Sequence, residues 1–333
     1  MGHTERLIRE TEQSYGIRVK KVQVIRDVKR SSLVAKLVTD DGTAYVLKTL
    51  YVSTERQQFI AHSERLLVRK GIPLAKPVPT RSGELCMTHE GESYVLYEWV
   101  DGKAGKLRNI DDLLKIVRAM AHFHKASRNL KYPDGVKLYN HPHWQQEYNE
   151  RIQSIRRWQN ETYDPMKEGD AVIGKSIPFF VKMGKRARKL LLRSEYSAYM
   201  DQQEKERTLV HGDLHHKNVI FQNGKAIMID FEDVRYDVPS KDLIRIYSMY
   251  SRKHGFSKKD FLRMMRAYEE INKLTPEEKQ LIYIDFLFPH IFERMLRKKK
   301  YTEVTPAELE QWIRQEEKKA QYVYDQYFKE ADG

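Results

Sequence analysis

The stretch from His211 to Phe231 constrains this chain more than any other. It reads His211-Gly212-Asp213-Leu214-His215-His216-Lys217-Asn218, then Val219 to Phe221, then Asn223-Gly224, then Ala226 to Ile229 and Asp230-Phe231. Two short apolar runs around Asn-Gly predict a β-hairpin, because both turn residues tolerate positive φ. Closing that hairpin returns Asp230 to the end where Asn218 sits, with Asp213 on the loop just upstream. An amide oxygen beside a carboxylate is a hard-oxygen pair suited to Mg²⁺, and the second carboxylate is placed to act as a base. Phosphoryl transfer from a nucleotide is the leading chemistry for such a set. His211, His215 and His216 could instead suggest zinc, but their carboxylate and amide companions favour a harder cation.

A chain of 333 residues has room for one large domain or two lobes. Cys86 is its single cysteine, so no internal disulfide can form, and a cytoplasmic setting is the expectation. The opening residues Met1 to Arg6 are polar and of mixed charge, without the apolar core of a signal peptide, and no apolar run is long enough to span a bilayer. The formal net charge of +13 is compatible with nucleic acid, an anionic polymer or a phosphorylated ligand. The densest basic runs, Lys182 to Arg193 and Arg294 to Lys300, have helical spacing and read first as solvated faces. No nucleic-acid-binding motif accompanies the charge, so nucleic acid is an unfavoured partner.

Along the chain, Val22–Arg26, Leu33–Thr39 and Thr43–Lys48 read as strands. Lys48 closes the face that also carries Ala44 and Val46. Thr54 to Lys70 reads as a helix ended by Gly71. Leu85–Met87 and Ser93–Val100 form a second hairpin across Glu90-Gly91. Composition then turns helical, which sets a boundary between residues 1–100 and 101–333. Ile110 to Ser127 carries an apolar stripe that includes His124, read as a core histidine. Trp144, Tyr148, Trp158 and Tyr163 are read as core or as a substrate groove. Tyr148–Gln159 and Lys182–Leu192 are expected helices. Thr275-Pro276-Glu277-Glu278 and Thr305-Pro306-Ala307-Glu308 are capping boxes. Pro289 is expected to kink the helix that Thr275 starts.

His211-x-Asp213, Asn218, Ile229-Asp230-Phe231 and Asp242-Leu243 together resemble the aminoglycoside phosphotransferase and choline kinase superfamily. Within it, "YEWVDG", "AHFHKAS", "YDVPSKDL" and "IDFLFPHIFE" resemble the CotS-type spore coat family of endospore-forming bacteria. The resemblance implies an α+β, protein-kinase-like fold of two lobes: a β-rich nucleotide-binding lobe and a helical catalytic and substrate lobe. It implies ATP and Mg²⁺ as cofactors. Asp213 would be the base, His211 would brace its loop and Asp242 would fix it. Asn218 and Asp230 would hold Mg²⁺, and Lys48 would contact phosphate. Val46 would roof the adenine, with Glu98, Trp99 and Val100 as the hinge. It further implies a hydroxyl acceptor, a small molecule or sugar-like polymer, with other coat proteins as possible partners. The implied location is the mother-cell cytoplasm and then the coat.

Three departures stand out. Arg26 to Leu37 has no glycine, so a glycine-rich phosphate loop is missing. The helical glutamate expected to pair with Lys48 is replaced by Ile60, leaving Glu55 and Glu64 as candidates. Lys217 is either a phosphate contact or an exposed charge. Two functions follow: an active phosphotransferase, or a kinase-like coat component with a binding role.

Overall fold

The β-rich segments before residue 100 pair into one antiparallel sheet. In the computed structural model, which describes residues 3–28, 32–49, 52–141, 143–202 and 206–330, the chain starts with helix α1 (His3–Tyr15). Sequence reading left this segment without an element. The signal was present in the spacing of Leu7, Thr11 and Tyr15, all buried on one helical face. Strands β1 (Val19–Val28), β2 (Ser32–Thr39) and β3 (Ala44–Thr49) follow. Helix α2 (Thr54–Arg69) starts at Ser53, whose hydroxyl accepts the Arg56 N–H. The sheet is completed by β4 (Pro77–Val78), β5 (Met87–His89) and β6 (Glu92–Glu98), in the order β1-β2-β3-β6-β4 with β5 paired to β6. Glu90 and Gly91 both take positive φ in the tight turn between β5 and β6. The tip between β1 and β2, where a glycine-rich loop was sought, lies outside the described residues.

Beyond residue 100 come β7 (Lys103–Ala104), α3 (Ile110–Ser127), α4 (Trp144–Glu161), α5 (Glu168–Arg193) and α6 (Tyr196–Asp201). Short strands β8 (Leu209–Val210), β9 (Val219–Gln222), β10 (Lys225–Met228) and β11 (Arg235–Tyr236) carry the central motif. Helices α7 (Ser240–His254), α8 (Lys258–Glu269), α9 (Pro276–Leu287), α10 (His290–Arg297) and α11 (Pro306–Tyr327) close the chain. Both capping boxes form, at Thr275 and Thr305. Pro289 does not kink a continuing helix: α9 stops at Leu287 and α10 starts after Pro289. Proline lacks the N–H the helix needs and disfavours helical backbone in the residue before it. Trp144, Tyr148 and Trp158 are buried, which settles them as core, while Tyr163 is largely exposed. The main core joins α3, α7, α8 and α9 and reaches under the motif through Leu214, Val219, Met228 and Phe231.

Candidate active site

The site begins with the hairpin. Val219 pairs with Met228 and Gln222 with Lys225, and Asn223 and Gly224 both take positive φ in the turn. The Ile229 N–H then donates to the Asn218 carbonyl at 3.0 Å, which brings Asn218 and Asp230 to one end. Asn218 donates its Nδ2 to the Asp213 carbonyl at 3.2 Å. Its Oδ1 therefore has no protein partner among the described residues. His215 caps the short turn before β9, its Nδ1 accepting the Asn218 N–H at 3.2 Å. Asp230 takes φ of +71°, an uncommon conformation for a residue with a side chain. Asp213 is only partly covered. One carboxylate oxygen is ion-paired with Arg245 of α7, and the other lies 3.7 Å from His215 Nε2.

Below this loop lies a buried brace. Asp242 accepts the backbone N–H groups of His211 at 2.7 Å and Gly212 at 2.9 Å, and hydrogen-bonds His124 Nε2 at 3.0 Å. Burial raises the Asp242 carboxyl, but these partners together hold it below the usual range. Burial keeps His124 neutral against the pull of Asp242. A neutral ring that donates Nε2–H to Asp242 accepts the Tyr268 hydroxyl at Nδ1, 2.9 Å away, and Tyr268 in turn accepts from Asn272 at 2.7 Å. His124 is thus the core histidine the stripe suggested, and it also positions the carboxylate that holds the catalytic loop. His211 Nε2 donates to the Ile229 carbonyl at 2.9 Å, tying that loop to the residue before Asp230. Gly212 has φ of +81°, and a Cβ there would sit 2.5 Å from the Asp233 carbonyl. Only glycine allows this approach.

A cavity of about 440 Å³ opens between sheet and hairpin. Val46, Lys48, Glu98, Trp99 and Val100 all line it, together with Asp230. Asp213 and Asn218 lie outside its lining, on the loop beyond Asp230. Lys217 borders it and is itself exposed, so the structure is compatible with both readings of that lysine. Lys48 is ion-paired with Asp230, and with Glu232 at 2.6 Å. Burial lowers the Lys48 ammonium, but the two carboxylates outweigh it and hold it above its ordinary value. Between the acids, burial and the Asp230 charge push Glu232 up, while Lys48 wins over burial at Asp230 and holds it down.

The helical glutamate resolves differently from either candidate pairing. Glu64 is buried in the cavity wall behind Lys48 and accepts the Tyr97 hydroxyl at 2.8 Å. Burial lifts its carboxyl to about 8, so it is mostly neutral at pH 7 and forms no ion pair with the lysine. Glu55 is exposed at the start of α2. Glu232, two residues beyond Asp230, takes the partner role instead. Lys48 and Glu232 are 184 positions apart, a separation no local pattern reports. Arg245 was likewise missed, although it stands one helical turn after Asp242 on the same face of α7. Among the described residues no group of three or more His, Cys, Asp or Glu could hold a metal. Of the three histidines of the motif, His211 bonds the Ile229 carbonyl and His215 caps the turn before β9.

An antiparallel sheet over a helical body, with a lysine and an Asp-bearing hairpin facing one cleft, defines a kinase-like phosphotransferase. The chain belongs to the phosphotransferase enzyme family, whose model matches residues 25–279. It is 25% identical over 305 residues to spore coat protein S of Bacillus subtilis, covering 87% of this chain and 83% of that protein. This agrees with the CotS-type resemblance. The fold is α+β, protein-kinase-like and two-lobed, as in an aminoglycoside phosphotransferase from Alicyclobacillus acidocaldarius. That structure has a TM-score of 0.73 at 15% identity, covering 96% of this chain and 94% of its own. An amicoumacin kinase in complex with AMP-PNP, Ca²⁺ and its antibiotic gives a TM-score of 0.61 at 17% identity, with coverage of 96% and 94%.

Proposed function

We propose that this protein is an ATP- and Mg²⁺-dependent phosphotransferase that acts on a hydroxyl of a small molecule or sugar-like polymer, in association with the spore coat. The observation that carries the reading is the convergence of Lys48, the Glu98–Val100 segment and Asp230 on one cavity, with Asp213 and Asn218 delivered by the adjoining loop. Residues 1–100 would bind the nucleotide, and residues 101–333 would supply catalysis and acceptor binding. Adenine would lie along Glu98 to Val100 under Val46. Lys48 and Lys217 would meet phosphate oxygens. The free Oδ1 of Asn218 and the carboxylate of Asp230 are hard oxygen donors that fit Mg²⁺. Bound there, the ion would neutralise phosphate charge. His211 and Asp242 hold Asp213 where it orients the acceptor hydroxyl and takes its proton as the oxygen attacks phosphorus. Phosphoryl transfer needs this positioning more than covalent chemistry from the protein.

The acceptor side of Asp213 is cationic. Arg245 pairs with the base, and burial and the Arg245 charge both disfavour a further charge on nearby Arg294. This favours an acceptor with anionic character over a polyamine antibiotic. Similarity to spore coat protein S supports the coat association, with synthesis in the mother-cell cytoplasm. A second reading, a coat component that binds without catalysing, is favoured by the engagement of Lys48 with two carboxylates. Thermal shift with ATP and Mg²⁺, set beside ATP turnover in Asp213→Asn and Asp230→Ala, separates the two. The phosphotransferase reading expects Mg²⁺-dependent stabilisation and loss of turnover in both variants. Absence of nucleotide binding at millimolar ATP would overturn it.

A further inference from the structure

A second cavity, also about 440 Å³, lies on the other side of the catalytic loop and shares no residue with the nucleotide cavity. Its wall holds Lys106, Arg108, His216, Arg252 and Lys253, and no carboxylate. Two elements supply the cations, the segment before α3 and the end of α7, and the catalytic loop adds His216, whose imidazole is held below its ordinary value by burial and by the Lys217 and Lys253 charges. Basic residues at a helix C-terminus commonly offset the helix dipole, which accounts for Arg252 and Lys253 taken alone. It does not account for Lys106 and Arg108, brought in by the segment before α3. Several are held in place. Arg108 is held by Asp112 at 2.9 Å, Arg252 stacks on Trp312 at 4.1 Å, and His254 of α7 bonds the Leu107 carbonyl at 2.8 Å. Among the described residues Lys106, Arg252 and Lys253 have no carboxylate within 4 Å, and His216 Nδ1 is buried without a partner. An adjoining hollow adds Lys103 and Lys115, with Asp112 also in its wall. Like charges gathered in a concave site raise its energy unless an anion offsets them, and while Asp112 offsets Arg108, Lys106 and Lys253 have no ion-pair partner among the described residues.

We infer that this cavity is a binding site for a linear, multiply phosphorylated anion, distinct from the nucleotide cleft. Arg245, Met249 and Arg252 lie at i, i+4 and i+7, on one face of α7. Seven residues of helix rise about 10 Å, so the face that meets Asp213 at one end meets this cavity at the other. A ligand that carries an alcohol hydroxyl beside its phosphates would present that hydroxyl to the base while its phosphates sit here. That last link rests on the phosphotransferase reading, but the site itself does not.

The test is thermal shift of the full chain with inorganic tripolyphosphate as probe, at saturating AMP-PNP and Mg²⁺, and again without nucleotide. Orthophosphate and long-chain polyphosphate form parallel arms that separate a short free ligand from a polymer. The expected result is a rise of several degrees with tripolyphosphate, little with orthophosphate, and a loss of the rise at high salt. The double variant Lys106→Ala/Lys253→Ala should lose most of it, as should Arg252→Met, which keeps an apolar stem on Trp312. Lys182→Ala/Lys185→Ala, on the basic run of α5, should keep it. A full rise in the cavity variants, or no rise in the parent protein, overturns the site. Failure of AMP-PNP to bind would sink the kinase reading and leave this result standing.

Discussion

Two groups of carboxylates lie about a dozen residues apart in sequence and behave in opposite ways. Asp242 is sealed from solvent, and its partners are backbone N–H groups and a neutral histidine. Asp230 and Glu232 are about one-third exposed and share a single lysine. A buried carboxylate surrounded by fixed donors is part of the fold, because removing it strands every donor. A pair of acids at a cavity mouth, neutralised by one flexible ammonium, can exchange that partner for another cation or for a phosphorylated ligand. The first arrangement holds the loop still and the second can change state.

The sharpest way to break that contrast is to remove the groups at the open end. Asp213→Asn and Asp230→Ala should each reduce ATP turnover by about 10²–10⁴-fold, with a melting temperature close to that of the parent protein. A large loss of stability in either would mean that the cleft is also structural. Asp242→Ala should do the reverse. It leaves two N–H groups and His124 unpaired, at about 1–3 kcal/mol each, so calorimetry should record a marked fall in melting temperature. An unchanged melting curve would remove the distinction.

A smaller effect comes from Glu64. Its folded carboxyl titrates near 8, against an unfolded value near the ordinary ~4.3. Between those values the folded state holds a proton that the unfolded state has lost, so stability falls as pH rises, by roughly 1.4 kcal/mol per unit at most. Glu64→Gln should flatten that slope and gain stability above pH 7, with the difference from the parent closing near pH 4. Denaturant midpoints across pH measure it, and parallel profiles would refute the neutral carboxyl. The smallest effect is expected for Glu232→Gln. It takes one competitor from Lys48 and should tighten nucleotide binding a few-fold by titration calorimetry, whereas weaker binding would make Glu232 a ligand partner.

Most elements could be read before the structure, because they depend on local signals. The Asn223-Gly224 and Glu90-Gly91 turns, the capping boxes at Thr275 and Thr305, and the stripe from Leu113 to His124 each lie within a few residues. Helix α1 escaped because its buried face is short and interleaved with charge. Pro289 ends one helix and precedes the next instead of kinking a single one, since a helix can restart after proline as readily as bend. The hinge, Lys48 and the hairpin do meet around one cavity. The Lys48–Glu232 pair, the Tyr97–Glu64 contact and the Arg245–Asp213 pair were not legible, because each joins residues from separate elements and none follows a spacing rule.

Of the four tryptophans, Trp144, Trp158 and Trp312 are buried among the helices. Trp99 alone lines the cavity beside Lys48, with Lys36 Nζ 3.8 Å above its ring and its indole N–H on Asp101 at 2.7 Å. The molecule therefore carries an optical probe in the wall of this cavity. A purine entering beside Trp99 changes the polarity and stacking around that one fluorophore, while the other three provide a steady background. Emission from the unlabelled protein, compared with Trp99→Phe, would report occupancy of the cleft in real time, whether or not turnover follows.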